Sequence, residues 1–139
     1  PGLGLLPVET WLQAPKTTTR TRFDWQGAEG LGYEIHMGRS ERQGGAPWAQ
    51  VSARNGVALE DSDGCVAEGE RIIGTYLHGL FDSPAVLGRW LGRIGLGGLE
   101  VPERHGPQAR DRDYDLLADH LAAHLDLAAI RGLTERRTP

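Results

Sequence analysis

Two neighbouring stretches near the start of the chain have the residue pattern of half-buried strands. In residues 31–38 apolar side chains alternate with glycine, glutamate and histidine, and residues 17–25 alternate threonine with arginine before ending in aromatics. Alternation places successive side chains on opposite faces of a strand. Residues 26–30, "QGAEG", have the composition of a turn, so the two strands are predicted to form an antiparallel pair.

Weaker patterns follow along the chain. Short strands are predicted over 48–53, 56–60 and 65–67, and the most apolar strand over 71–77. Residues 1–16 and 38–47 are rich in glycine, proline and polar residues, which predicts loops, and 61–64 and 68–70 are predicted turns.

Helical spacing of apolar residues begins after residue 82. A helix is predicted over 82–95, with Ser83 as its N-cap, Pro84 in the first turn, an apolar face from Leu87 to Ile94, and Gly95 at its end. A second helix is predicted over 112–133, and residues 134–139 form a frayed tail. Strands followed by two helices indicate an α+β pattern or the last part of an α/β domain.

Length and composition restrict the class of protein. The 139 residues are enough for one domain or a large piece of one, with 39% hydrophobic and 24% charged residues. The net charge of −4 and the lack of a basic stripe argue against nucleic acid as a partner. No apolar run approaches the roughly 20 residues that span a membrane. The single cysteine, Cys65, forms no disulfide framework, and without a visible signal peptide a cytoplasmic location is expected.

The strand 71–77 ends at a histidine in "GTYLHGLFD" (74–82). His78 could serve as a general base at the end of a rigid strand, because imidazole titrates near neutrality and the following glycine lets a substrate approach closely. It could equally be a half-buried histidine bonded to a loop carbonyl.

Cys65 is the obvious nucleophile to consider beside His78. A catalytic thiol in such a sheet needs a sharp strand-to-helix turn, but "SDGCVAEGE" leaves no room for a helix before the next strand. Cys65 is therefore interpreted as a small core residue in a hairpin.

Two other pairs of side chains could carry chemistry. Glu34 and His36 lie on one face of the strand 31–38, where they could orient another group, contact a substrate or form a solvated face. His120 and His124 are four residues apart in "DHLAAH", a zinc-compatible spacing, but a third ligand is not evident, so no metal site is predicted.

Several stretches together resemble a known family. "GLGLLPVET" (2–10), "PKTTTR" (15–20), "GYEIHMGRS" (32–40), "DGC" (63–65) and "GTYLHGLFDSPAVLGRWL" (74–91) occur in the order and spacing of the C-terminal part of the cobyric acid synthase family, glutamine-dependent amidotransferases of cobalamin biosynthesis. The resemblance implies an α/β fold, namely the C-terminal portion of a flavodoxin-like class I glutamine amidotransferase domain, with a mixed sheet followed by two helices. Residues 1–139 would be a partial domain.

The resemblance also implies a reaction. A cysteine on a nucleophile elbow attacks the side-chain amide of glutamine, and the family's catalytic histidine falls on His78. The ammonia would pass to a synthetase domain that uses ATP and Mg²⁺ to amidate the corrin substrate, adenosylcobyrinic acid a,c-diamide. No residue here matches the family's cysteine, so this chain alone is expected to be inactive. Many class I glutaminases orient the histidine with a glutamate two residues later, but that position is Leu80, which leaves Glu34 as a candidate.

Two alternatives stay open at this point. The chain could be a binding or regulatory module of the same fold without chemistry. It could also be the glutaminase part of an amidotransferase that serves another acceptor, such as a cell-wall precursor.

Overall fold

The computed structural model describes residues 2–102 and 106–135. It divides into two compact units, Pro1–His105 and Gly106–Pro139. The first unit contains the seven strands, a short 3₁₀ helix and the first α-helix, and the second contains the other two helices. The strands are β1 (Val8–Trp25), β2 (Ala28–Arg42), β3 (Ala49–Arg54), β4 (Val57–Asp63), β5 (Cys65–Ala67), β6 (Ile72–Gly74) and β7 (Leu77–His78). The helices are the 3₁₀ helix Leu80–Asp82, α1 (Pro84–Arg93), α2 (Pro107–His124) and α3 (Leu127–Glu135).

The strands form two sheets. Five of them lie in the order β4-β3-β1-β2-β7, and β5 pairs with β6 in a separate two-stranded sheet. The α/β fold class is confirmed, although every pair of named strands is antiparallel rather than mixed. The predicted pairing of the first two strands is confirmed by their antiparallel register. The turn predicted over 26–30 is shorter, because Gln26 and Gly27, both with positive φ, form it and β2 already begins at Ala28.

Both long strands extend beyond their predicted ends. Residues 1–16 were predicted as a loop, but β1 begins at Val8 and pairs Val8–Trp11 with the end of β2. The ladder is irregular between Trp11 and Lys16, and Pro15 lies in that irregular stretch, where its missing N–H removes no ladder bond. The predicted loop 38–47 is therefore shorter, because β2 continues to Arg42.

The core of the first unit is an aromatic cluster between the five-stranded sheet and α1. Trp25 stacks on Trp48 at 5.3 Å between ring centroids, and Trp90 of α1 lies 5.6 Å from Trp25. Val86, rather than the predicted Leu87, is the fully buried residue of α1. Ser83 occupies the predicted N-cap position, but its hydroxyl bonds to the backbone of Leu31 on β2 instead of capping the helix.

The predicted helix over 112–133 is two helices. Leu125 is extended, and the Asp126 carboxylate accepts a hydrogen bond from the N–H of Ala129 at 2.9 Å, which starts α3 as a new helix. Residues 134 and 135 of the predicted tail belong to α3, and 136–139 lie outside the described residues. No helix of the described residues is long and apolar enough to cross a membrane.

Any side chain larger than that of Gly30 on β2 is predicted to disturb the packing of the core. A Cβ at this position would overlap the ring of the fully buried Phe23 on β1. We expect Gly30→Ala to lower the free energy of unfolding by about 1–3 kcal/mol, as overpacking does, measured by urea denaturation. Gly92→Ala is the control, because a Cβ there meets no atom and alanine favours α1. Equal stability of the two variants would contradict this packing argument.

Candidate active site

His78 is the last residue of β7, the edge strand of the five-stranded sheet. It lies opposite Tyr33 of β2, and the two rings stack at 5.1 Å between centroids with 13° between their planes. Among the described residues, none hydrogen-bonds to the imidazole, and the side chain is exposed. Gly79 follows with φ 69°, a conformation that favours glycine, and turns the chain into the 3₁₀ helix. One face of the ring is thus stacked on Tyr33, and the side chain as a whole is exposed.

His78 shares its sheet face with an apolar stripe. Residues directly opposite in an antiparallel pair project to the same side, and alternation extends that side along β2. The side chains on this face are 42–62% exposed. We call them the β2 apolar stripe: Leu31, Tyr33, Ile35 and Met37. Contiguous exposed apolar surfaces are a feature of sites that contact other polypeptide segments or ligands.

Glu34 lies on the opposite face of β2. Its carboxylate is buried and accepts hydrogen bonds from Thr21 Oγ1 at 2.8 Å and from Arg54 Nε at 2.9 Å. Arg54 also pairs with Asp61 at 2.5 Å, so one guanidinium joins β2, β3 and β4. The structure therefore brings Glu34 to Arg54 and does not bring it to His78.

The charge of Glu34 is stabilised by these partners. Burial alone would raise the pKa of its carboxyl, but the hydrogen bonds from Arg54 and Thr21, the positive charge of Arg54 and the contact with His36 outweigh burial, and the pKa lies below its ordinary 4.5. Glu34 is a buried anion whose partners are all supplied by the sheet.

His36 is beside Glu34, as the alternation of β2 predicts. Its Nε2 is 3.4 Å from Glu34 Oε2, its Nδ1 bonds to the carbonyl of Gly38 at 3.1 Å, and its ring stacks on Tyr76 at 4.0 Å. The two side chains line an open cavity of about 1040 Å³, which has both acidic and basic groups in its wall.

Cys65 is buried at the start of β5, opposite Gly74 of β6. Its Sγ lies 3.7 Å from the carbonyl of Gly44. The interpretation of Cys65 as a small buried residue in a hairpin is confirmed, and the residue belongs to the two-stranded sheet, whereas His78 belongs to the other one.

The two histidines of α2 contact each other rather than a third ligand. Their rings stack at 4.2 Å, and His124 Nδ1 bonds to the carbonyl of His120 at 2.7 Å. Across residues 2–102 and 106–135, no three His, Cys, Asp or Glu side chains come together in a way that could hold a metal ion.

Asp63 is a buried carboxylate that the sequence pattern did not single out. It was predicted to lie in the turn 61–64, but it ends β4 and is 5% exposed. Burial raises the pKa of its carboxyl above the ordinary 3.8, although hydrogen bonds from Thr75, Tyr76 and Gly64 oppose that shift. Because an aspartate followed by a glycine is typical of turns, the sequence predicted a turn here and gave no sign that the carboxyl of Asp63 is buried.

Comparison with known proteins places the chain in a family. Residues 1–86 match the model of the CobB/CobQ-like glutamine amidotransferase domain. Cobyric acid synthases of Chloroflexus aurantiacus and Streptococcus sanguinis are each 41% identical over 97% of this chain, and that of Chlorobaculum tepidum is 42% identical over 96%. The chain spans 27–28% of the length of these relatives. No solved structure matches it significantly. The chain therefore belongs to the family of CobB/CobQ-like glutamine amidotransferase domains.

Proposed function

We propose that this chain is the C-terminal part of the glutaminase domain of a cobyric acid synthase. Its similarity to three enzymes of that name over almost its whole length supports this assignment. The proposed reaction is hydrolysis of glutamine to glutamate and ammonia. The ammonia would then amidate carboxylates of a corrin, adenosylcobyrinic acid a,c-diamide.

The observation that carries the proposal is the position of His78 and the absence of a hydrogen bond to its ring from any described side chain. An imidazole at a strand end, stacked on one face by Tyr33 and not hydrogen-bonded by any described side chain, is arranged to exchange a proton with an incoming group. A histidine with a purely structural role would be bonded to a neighbouring carbonyl, as His124 is to the carbonyl of His120.

In the proposed mechanism His78 serves a cysteine thiol from another part of the complete polypeptide. The imidazole takes the thiol proton, and the thiolate attacks the amide carbon of glutamine. The C–N bond then breaks, the imidazolium returns its proton to the leaving nitrogen, and ammonia departs. His78 next takes a proton from water, whose oxygen attacks the thioester to release glutamate and the thiolate.

The β2 apolar stripe is the proposed contact surface for the polypeptide that carries this cysteine. It lies on the same face as His78, and a segment covering it would arrive next to the imidazole. The much greater length of the relatives supports such a segment.

Glu34 and His36 are proposed to act elsewhere. Because Glu34 faces away from His78 and binds Arg54, we assign it the role of holding three strands together rather than orienting the base. His36 lines the cavity on that face, where contact with a substrate stays a proposal.

ATP and Mg²⁺ are proposed for the synthetase part of the complete enzyme. The described residues offer no metal-binding group, and no step of the glutaminase mechanism passes through either species. A cytoplasmic location is proposed as well, in keeping with the one unpaired cysteine.

Ammonia release from glutamine by the complete natural polypeptide tests the proposal. The wild-type polypeptide is expected to release ammonia, whereas the 139-residue chain by itself is expected to release none. A complete polypeptide that binds a ligand but never releases ammonia would favour the non-catalytic module. Ammonia release without transfer to a corrin would favour a different acceptor.

Cys65→Ser is expected to leave this activity within about two-fold of wild type. Cys65 is buried in the two-stranded sheet, whereas His78 lies in the five-stranded sheet, so the geometry of the site should not depend on the sulfur. Ammonia release is measured for both proteins at saturating glutamine. Complete loss of activity in a folded Cys65→Ser variant would make Cys65 the nucleophile and contradict the proposed origin of the thiol.

A further inference from the structure

The corner between β6 and β7 carries the chain from one sheet to the other. β6 ends at Gly74, opposite Cys65, and β7 begins at Leu77, opposite Glu34. The predicted single strand over 71–77 is broken here, at Thr75 and Tyr76. A backbone that changes sheets loses regular ladder partners, so its N–H groups need acceptors from side chains.

Asp63 and Thr75 supply these acceptors. Its Oδ1 accepts a hydrogen bond from the N–H of Tyr76 at 3.4 Å, and its Oδ2 accepts a short hydrogen bond from the hydroxyl of Thr75. The same hydroxyl oxygen accepts from the N–H of Leu77 at 3.0 Å. The carboxylate of Asp63 thus binds the N–H of Tyr76 directly and is linked to the N–H of Leu77 through the hydroxyl of Thr75.

The backbone of Asp63 is fixed by its neighbours in the sheet. Asp63 is opposite Ala49 of β3, and its carbonyl accepts from the N–H of Trp48 at 3.0 Å. Gly64 follows with φ 77°, and a Cβ there would lie 2.6 Å from the carbonyl oxygen of Gly74. The close approach of β4 and β6 therefore requires glycine next to Asp63.

His78 directly follows this corner. β7 has only two residues, so few ladder bonds define where it lies, and the direction in which the chain leaves Thr75 sets the position of the imidazole against Tyr33. We propose that Asp63 and Thr75 are positioning residues for His78, which place the proposed general base through the backbone of Leu77. This inference rests on the proposed function for its catalytic consequence, but the placement of the ring can be measured without catalysis.

Thr75→Val tests the inference, and Thr75→Ser is its matched control. Valine keeps the shape of threonine but removes the hydroxyl that joins Asp63 to Leu77, whereas serine keeps the hydroxyl. In the complete polypeptide we expect Thr75→Val to lower kcat for ammonia release by about 10- to 100-fold, as a misplaced catalytic group does. KM for glutamine should change by less than about three-fold, because the lost interaction acts on the reacting geometry. Thr75→Ser should stay close to wild type.

The second measurement is the NMR signal of the His78 ring in histidine-labelled polypeptide. Stacking on Tyr33 shifts this signal, and His78→Asn identifies it by its disappearance. We expect the signal to move in Thr75→Val and to keep its wild-type position in Thr75→Ser. Asp63→Asn, which keeps one oxygen for the N–H of Tyr76, should give smaller changes in the same direction and serves if Thr75→Val does not fold.

The outcomes separate the two claims. A folded Thr75→Val protein with wild-type kcat and an unmoved His78 signal would overturn the positioning role. So would a Thr75→Ser variant as impaired as Thr75→Val, since the hydroxyl would then not matter. If His78→Asn keeps full activity, the proposed role of His78 as general base fails, and the NMR shift alone still decides whether Asp63 and Thr75 place the ring.

Discussion

Replacing His78 by asparagine is expected to lower glutamine hydrolysis by the complete polypeptide about 10²- to 10⁴-fold, the usual contribution of a general base. Asparagine has roughly the size of the imidazole but cannot accept the thiol proton. The exposed position of His78 means that little packing is lost, so the fall should appear in kcat while the protein stays folded. The measurement is ammonia release at saturating glutamine.

His120→Asn is the control for this substitution. His120 is also an exposed histidine, but it lies on α2, and its ring contacts His124. We expect its replacement to change ammonia release by less than about two-fold, as surface substitutions do. Equal activity of wild type and His78→Asn would mean that His78 has no role in proton transfer.

Glu34→Gln is expected to destabilise the five-stranded sheet. The substitution keeps the shape of the side chain but removes the buried charge that Arg54 faces, and breaking a buried ion pair costs roughly 3–5 kcal/mol. Because Arg54 keeps its contact with Asp61, we expect a value near the lower end, about 3 kcal/mol. Urea unfolding of the 139-residue chain at neutral pH measures it.

The same pair predicts how the loss depends on pH. The pKa of Glu34 is lowered in the folded state, so its charge stabilises the fold at pH values above the unfolded 4.5, and that stabilisation is lost as the pH falls through the folded pKa. The difference between wild type and Glu34→Gln should therefore shrink in acid. Glu29→Gln, an exposed position on the same strand, should differ from wild type by less than about 0.5 kcal/mol. A gap that stays constant down to about pH 3 would contradict the ion-pair account, because the pKa of Glu34 would then be the same in the folded and unfolded states.

Local patterns predicted the parts of the fold that local interactions control. The alternation in 31–38 predicted β2 and the shared face of Glu34 and His36, because side-chain direction follows from the pleat alone. A turn was predicted over 26–30 from its local composition, although the tight turn itself comprises only Gln26 and Gly27.

Features that depend on distant residues were not predicted. Residues 8–11 form a strand only because the end of β2 is available to pair with them, so their proline- and glycine-rich surroundings were read as a loop. The break at Thr75 and Tyr76 arises from a change of sheet, which apolar content cannot reveal.

In the candidate site, too, local features were predicted and those that depend on distant residues were not. Sequence pattern predicted that His78 ends a strand, but the ring's partner depends on the register between β7 and β2. That register places Tyr33 beside His78 and turns Glu34 to the other face. Periodicity within one strand determines which of its side chains share a face, but it does not by itself determine which residue of a second strand lies opposite.

The most direct test of the central claim is rescue of a truncated base in the complete polypeptide. Ammonia release from glutamine is measured for His78→Ala with increasing concentrations of free imidazole. If His78 is the proton acceptor, activity without imidazole should be near background and should rise with imidazole concentration, because a small base can occupy the exposed strand end beside Tyr33. Wild-type activity of His78→Ala without imidazole would contradict the account.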